Sequence, residues 1–564
     1  MGRLLTGSLI VALLFIVAGC DDSPEQTPQP MARATILIDG GDIITGDDAV
    51  PVVGAIAVGA NGTVLATGAS RADVSELLAD DVTVIDLAGA TAYPGFTDSH
   101  MHLVGVGERE LSLNLEGLSG VAELQARLAA RVALAEPGEW VVARGWIETH
   151  WEPAVFPTRA DLDAVAPANP VVLERADGHA LVANSRALAA GGVTADRPDP
   201  FGGAILRNAG GEPTGMLVDN ARTLVTRMIP NTAEIPLDRA LDAGIARSLS
   251  MGWSSLHIAD ATPALADALI SRCRAGALPL RTVLAVEVTP DNMDGLLAYV
   301  VAHREGCAGR VQIAAIKVSV DGALGSRGAA LLVPYADADN DGLLMWTEGD
   351  LDHVYAAARD AGLQVWTHAI GDRANRWVLD RYEHALAGDT ARRWRIEHAQ
   401  HLSEQDIPRF AALGVIPSMQ PSHAIGDLHF APGRVGMARL AYAYAWRSVL
   451  DSGAIIPAGT DAPVEAGDPR VEYYAAIARA DLQGYQGEGW HPEQAMTREQ
   501  ALAALTRWPA YAAFREGELG CLMPGCRADL TVLGGDLLTV PASEIPDVPV
   551  LMTIVDGAIV WEKD

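Results

Sequence analysis

The sequence predicts an α/β chain: a (β/α)8 barrel with a large insertion after its first strand, plus a small β-sandwich-like domain built from both chain ends. Three observations point there. The middle of the chain alternates short apolar runs with amphipathic helical stretches, the pattern of a parallel sheet wrapped by helices. Both ends are rich in β-type runs broken by Gly, Asp and Asn turns. Side chains able to hold a cation recur at the C-terminal ends of the middle runs, where a barrel opens.

The middle offers eight strand candidates, at residues 91–96, 253–258, 281–287, 312–318, 364–367, 394–397, 415–419 and 454–458. Eight units in roughly 420 residues suit a barrel carrying insertions. The largest insertion, about 105–236, separates the first two strands and has strand-like runs of its own at 140–143 and 171–174. At the ends, runs at 34–38, 55–58 and 82–87 match runs at 528–533 and 552–560, the last turning at Asp556-Gly557. The expected division is a composite β domain at 34–90 and 511–564 around a barrel at 91–510.

The first 33 residues read as targeting, not fold. Arg3 precedes an apolar stretch from Leu9 to Ala18, too short for a stable membrane anchor. It ends in Val17-Ala18-Gly19-Cys20, which resembles a bacterial lipobox. On that reading 1–19 is a signal peptide, Cys20 is acylated, and 20–33 is a Pro-rich tether. The expected location is exported and lipid-anchored to a bacterial membrane; in a Gram-negative cell Asp21 resembles an inner-membrane retention signal, which implies the periplasmic side. An intact Met1 in mass analysis of the purified protein would exclude this.

Composition narrows the partners. Of 564 residues, 49% are hydrophobic and 20% charged, a globular balance. The net charge of −31 repels phosphate backbones, so nucleic acid is excluded as an expected partner. Among the remaining cysteines, Cys273 and Cys307 show no partner. Cys521 and Cys526 flank a Leu-Met-Pro-Gly turn and read equally as a disulfide or as two thiols.

The chemistry lies on the strand ends. His100 and His102 sit two apart on an extended run and so face the same way. Lys317 lies among apolar β residues, a costly place for an unmodified ammonium. His368, His398 and Asp461 end the fifth, sixth and eighth strands. One such residue is ordinary, but six on five strands make a metal centre the better reading.

This order resembles the amidohydrolase superfamily, in its YtcJ-like branch, over nearly the whole chain from Ala34. The motifs are 92–102 (Ala-Tyr-Pro-Gly-Phe-Thr-Asp-Ser-His-Met-His), Asp177-Gly178-His179-Ala180, and Asp321 through Arg327. They continue in His368 through Arg373, Arg395-Ile396-Glu397-His398-Ala399-Gln400 and Ala528 through Leu533. The resemblance implies that His100, His102, His368, His398 and Asp461 bind divalent metal. It also implies that Lys317 occupies the position carboxylated in members with two metals. The one departure is Thr460 before Asp461, where the family often has Ser.

The donor set suits zinc, one or two ions per chain. A metal-bound hydroxide would then attack a C–N bond of a small amide, N-acyl or N-formyl compound, with Asp461 as catalytic proton carrier. The alternatives are a cyclic amide or ester hydrolase, a deaminase on the same centre, or a non-catalytic ligand-binding lipoprotein. His179, Arg327 and His423 are the substrate-binding candidates. His179 reads equally as a structural loop residue, and Arg327 equally as half of an internal ion pair. Trp146, Trp151 and Trp366 read as pocket or, more commonly, core. The expected partners are a small-molecule substrate and a membrane through the lipid; a homo-oligomer is left open.

Overall fold

The structure is a computed structural model describing residues 33–230, 235–307 and 309–564; Cys20, the signal peptide and all but the last residue of the tether lie outside the described residues. Seven parallel strands make the central sheet, in the spatial order Phe96–Met101, Trp253–Ala261, Arg281–Glu287, Val311–Ser319, Gln364–Ala369, Arg395–His398 and Ile416–Ser418. Helices alternate with them and bury one stripe each. Asp372–Leu386 buries Ala374, Val378, Tyr382 and Ala385, at the three- and four-residue spacing of one helix face. Pro263–Arg274 begins with Thr262 accepting the Leu265 N–H at 3.2 Å and a proline in the first turn, both favourable starts.

The eighth stave differs from its expectation. Segment 454–458 is not a regular strand and meets the sheet through one parallel bridge, Met419 to Ala458. Pro457 carries no N–H, so a continuous ladder cannot run through it. Separate bonds close the gap instead: Met419 N–H to Pro457 O (3.2 Å), Ser99 N–H to Ala458 O (3.0 Å) and Asp461 N–H to His100 O (2.7 Å). The sheet is a nearly closed parallel barrel, and the closing bonds set Asp461 beside His100.

The run expected at 91–96 serves two sheets. Thr91–Pro94 joins the composite sheet, pairing with Leu530–Leu533, while Phe96–Met101 is the first barrel strand. Gly95 makes the transfer possible, because a Cβ there would lie 2.2 Å from the Ser254 hydroxyl. The composite sheet has eight strands in the order Ala558–Glu562, Val550–Val555, Leu530–Leu533, Thr91–Pro94, Ala34–Ile44, Val52–Gly59 and Val64–Gly68, with Leu78–Asp86 beside Ala34–Ile44. Arg281 links it to the barrel through Asp529 (2.6 Å) and Asp556 (2.5 Å).

Between the first two barrel strands stands a six-stranded sheet, ordered Gly203–Arg207, Pro213–Asp219, Ala180–Ala183, Val171–Arg175, Val141–Trp146 and Leu113–Asn114. Trp146, Trp151 and Trp366 are core residues, at most 4% exposed. Two disulfides are present. Cys521 pairs with Cys526, and Cys273, for which the sequence showed no partner, pairs with Cys307 across 34 residues. That second pair joins the end of the Pro263–Arg274 helix to the loop after the Met293–His303 helix, a proximity only the barrel creates.

One buried acid gives a stability test. Glu472, 1% exposed on the Pro469–Ala478 helix, accepts the Ser422 N–H at 2.9 Å. Burial outweighs that bond and pushes its carboxyl well above the ordinary 4.5. The folded chain therefore keeps a proton that the unfolded chain releases above pH 4.5, so stability falls as pH rises beyond that value. Glu472→Gln removes this slope. Between pH 5 and 8 the wild-type melting temperature is expected to drop further than that of the variant; parallel curves would reject the assignment.

Candidate metal centre

The strand ends converge. His100, His398 and Asp461 bring one ligand atom each to within 4.8 Å of one another, all buried. Ring centroids of His398 lie 4.8 Å from His100 and 4.5 Å from His368, and His102 lies 5.5 Å from His100. Two of these positions are held in an unusual backbone: His398 (φ 75°) and Asp461 (φ 56°) both occupy the left-handed region. Non-glycine residues there cost on the order of 1–3 kcal/mol and cluster at functional sites. Gly459 allows the close approach, since a Cβ there would lie 2.3 Å from the His100 backbone nitrogen.

Hydrogen bonds fix which nitrogen faces the centre. A carboxylate can only accept, so His100 Nδ1–H donates to Glu397 Oε2 at 2.6 Å and leaves Nε2 inward. His398 Nδ1 bonds Gln420 Oε1 at 2.8 Å, with the same result. Glu397 is in turn clamped by Arg395 Nε at 2.7 Å, both side chains fully buried. Burial opposes the charge on Glu397, but Arg395 and His100 outweigh it and hold the carboxyl well below its usual range. Burial, reinforced by neighbouring imidazoles, keeps His368 and His398 well below the usual histidine range, so both rings are neutral.

These residues fit a divalent cation. The Nε2 atoms of His100 and His368 are buried and make no hydrogen bond. An imidazole lone pair left dry is costly, and several converging on one carboxylate are the donor set of a borderline cation. Asp461 Oδ1 lies 2.9 Å from His102 Nε2 and 3.4 Å from His100 Nε2. Burial would raise its pKa, yet those imidazoles win and keep it well below the ordinary value, hence ionised. His102 also meets Asp260 at 3.1 Å. Burial resists the charge on this ring, but Asp260 and Asp461 push its pKa up to about 10; a cation on Nε2 would displace that proton and leave Nδ1–H on Asp260. Lys317, 4% exposed, lines the same opening as His102 and Asp260.

The substrate-binding candidates separate. A cavity of about 260 Å³ over the centre is lined by His179 and His423 among others, but not by Arg327. His179 Nδ1–H donates to Asp219 at 2.7 Å, and its ring lies 5.0 Å from His368. His423 Nδ1 accepts from Gln400 at 3.3 Å, which puts its proton on Nε2, 3.6 Å from Asp461 Oδ2. For Arg327 the structure shows the ion-pair alternative: Asp337 grips it through both oxygens, at 3.1 and 2.8 Å.

Several residues were missed. Asp98 accepts the Thr460 hydroxyl at 2.6 Å and the Thr460 N–H at 2.9 Å, so the threonine does constructive work in place of the family serine. Asp321 accepts three backbone N–H groups, from Ala330, Ile370 and Gly371, and lies 3.4 Å from His368. Glu397, Gln420 and Asp260 belong to the same group. Asp98, Asp321 and Glu397 stand in motifs already quoted, which was the available signal.

A family model described as the amidohydrolase family matches residues 83–561. The chain belongs to the amidohydrolase family. It is a hydrolase of carbon–nitrogen bonds. The amidohydrolase is 31% identical to Bacillus subtilis YtcJ, named as an amidohydrolase, over 89% of this chain and 95% of that one. It is 29% identical to an N-substituted formamide deformylase of Arthrobacter pascens, over 90% and 95%. Among solved structures, a metal-dependent hydrolase from Pyrococcus horikoshii aligns with a TM-score of 0.71 at 26% identity, covering 90% of this chain and 99% of that one.

Proposed function

We propose that this amidohydrolase cleaves the C–N bond of a small amide, N-acyl or N-formyl compound at a zinc-type centre held by His100, His102, His368, His398 and Asp461. The observation that carries this is the buried convergence of His100, His398 and Asp461 beneath a cavity of small-molecule size. The relative named for N-substituted formamides supports the N-formyl option. A cation bound there would supply an acidified water and a Lewis acid for the carbonyl. Lys317, carboxylated, would extend the donor set to two cations.

The chain's own side chains divide the remaining work. Asp461 Oδ1 is held by the imidazoles, whereas Oδ2 faces His423. Oδ2 takes the water's proton and passes it to the departing amine. His423 Nε2–H is placed to donate to the substrate oxygen. Glu397 and Gln420 keep His100 and His398 in the ring orientation the centre needs.

The test is a screen of N-formyl amines, N-acyl amines and N-acyl amino acids before and after chelation. Hydrolysis of at least one class, lost with the chelator and restored by zinc, is expected. Hydrolysis indifferent to chelation, or no hydrolysis of any class, would reject the reading.

A further inference from the structure

The centre opens on two sides. The first cavity is walled by Ile147, Leu324, Ile370, Phe430 and Val464. A second opening, of about 350 Å³, shares Asp177, His179, His368, His398 and Asp461 with it. Its own wall is polar, with Glu108, Arg144, Glu174, Arg222, Asp260 and Glu287. Glu116, Arg175, Asp427 and Glu465 also line the first cavity, so a molecule lying across the centre meets a mainly apolar wall at one end and a mainly charged one at the other.

The arginines of the two openings, and Arg327 outside them, are not equivalent. Arg175 is gripped by Glu148 at 2.9 Å and by Asp177. Arg222 donates to Gly178 O and to Glu174 at 2.7 Å. Arg327 is spent on Asp337. Arg144 differs: its guanidinium makes no hydrogen bond or ion pair with any described residue, and its Nε is buried. It extends from the Val141–Trp146 strand and packs on Gly105, where a Cβ would lie 3.2 Å from Nη1. A guanidinium does not give up its proton, so this half-buried one, paired with none of those carboxylates, keeps its donors available to an anion that reaches the opening. Its planar fork matches a carboxylate. The carboxylate of Glu287 on the same wall opposes a second negative charge, which favours a monoanion.

We propose that Arg144 binds a carboxylate of the substrate, so that the preferred substrates are amides joining an apolar group to a carboxylate-bearing one. The inference rests on C–N hydrolysis at this site. It also moves the anion-binding role from Arg327 to Arg144.

The experiment compares N-hexanoylglycine with its uncharged counterpart N-methylhexanamide, and the reversed amide N-pentylmalonamate with N-pentylacetamide. Wild-type kcat/KM is expected to favour the carboxylate in at least one pair by ~10–10²-fold, the scale of a charged hydrogen bond. In Arg144→Met the ratio should collapse through KM, and Arg144→Lys should keep part of it. Calorimetry with N-hexanoylglycine and N-pentylmalonamate on Asp461→Asn, with and without Arg144→Met, reads the same contact without turnover. There the second substitution should weaken binding of the preferred acid by a similar factor. Equal rates within both wild-type pairs, or a preference that survives Arg144→Met, would overturn the carboxylate site. If the neutral amides are cleaved and the acids are not, that inference alone fails. If no amide in the wider screen is cleaved, the hydrolase reading fails with it.

Discussion

Asp461→Asn is expected to lower turnover by ~10²–10⁴-fold, the usual contribution of general acid–base catalysis, while the bound cation stays in place. The amide keeps the size of the carboxylate and an oxygen able to bond His102, now 2.9 Å away. What it loses is the capacity to accept a proton. In the wild type the neighbouring imidazoles keep this acid ionised despite its burial, so it is ready to receive the proton of the attacking water. The left-handed backbone at this position suits Asn as well as Asp, so the fold is not under test. Turnover and metal content should be measured on the same preparation. Full activity with metal retained would overturn the proton-carrier role.

Glu397→Gln should be the most damaging change outside the ligands. Glu397 lies between His100 Nδ1 and Arg395, and both it and the arginine are 0% exposed. Arg395 also donates to Ser418 Oγ at 2.7 Å and sits over the Trp366 ring at 3.9 Å. Those contacts do not neutralise its charge. Breaking a buried pair from one side costs about 3–5 kcal/mol, because the remaining charge is left uncompensated. His100 and Arg395 would then compete for one neutral amide oxygen in place of a carboxylate, and a weakened partner of this kind typically lowers metal affinity ~10–10²-fold. Denaturant titration and metal titration measure the two effects separately. Stability and affinity both close to wild type would show that the network is dispensable.

The sequence revealed the residues whose signal is positional. His100, His368, His398 and Asp461 mark strand ends, and strand ends can be read from apolar runs. It did not reveal side chains whose role depends on a contact across the barrel. Glu397 meets His100 from 297 residues away, and nothing in local pattern announces that pairing. Gln420 beside His398 and Asp260 beside His102 are of the same kind. Arg327 left two readings open for the converse reason: its motif is conspicuous, and only the contact with Asp337, ten residues on, decides for the ion pair. The eighth stave was placed correctly along the chain, but its proline argued against a full strand and was given too little weight. In the insertion, the two Val-rich runs stood out, while Gly203–Arg207 and Pro213–Asp219 were hidden by their glycines, prolines and polar residues.

The central claim is that His100 and His398, with Asp461, hold a divalent cation that hydrolysis requires. Elemental analysis of wild type, His100→Ala and His398→Ala, each dialysed against metal-free buffer, tests it most directly. The account predicts at least one divalent cation retained per wild-type chain, loss of most of it in both variants, and activity falling in step. A wild-type protein that is active without metal, or variants that keep the full wild-type complement, would contradict it.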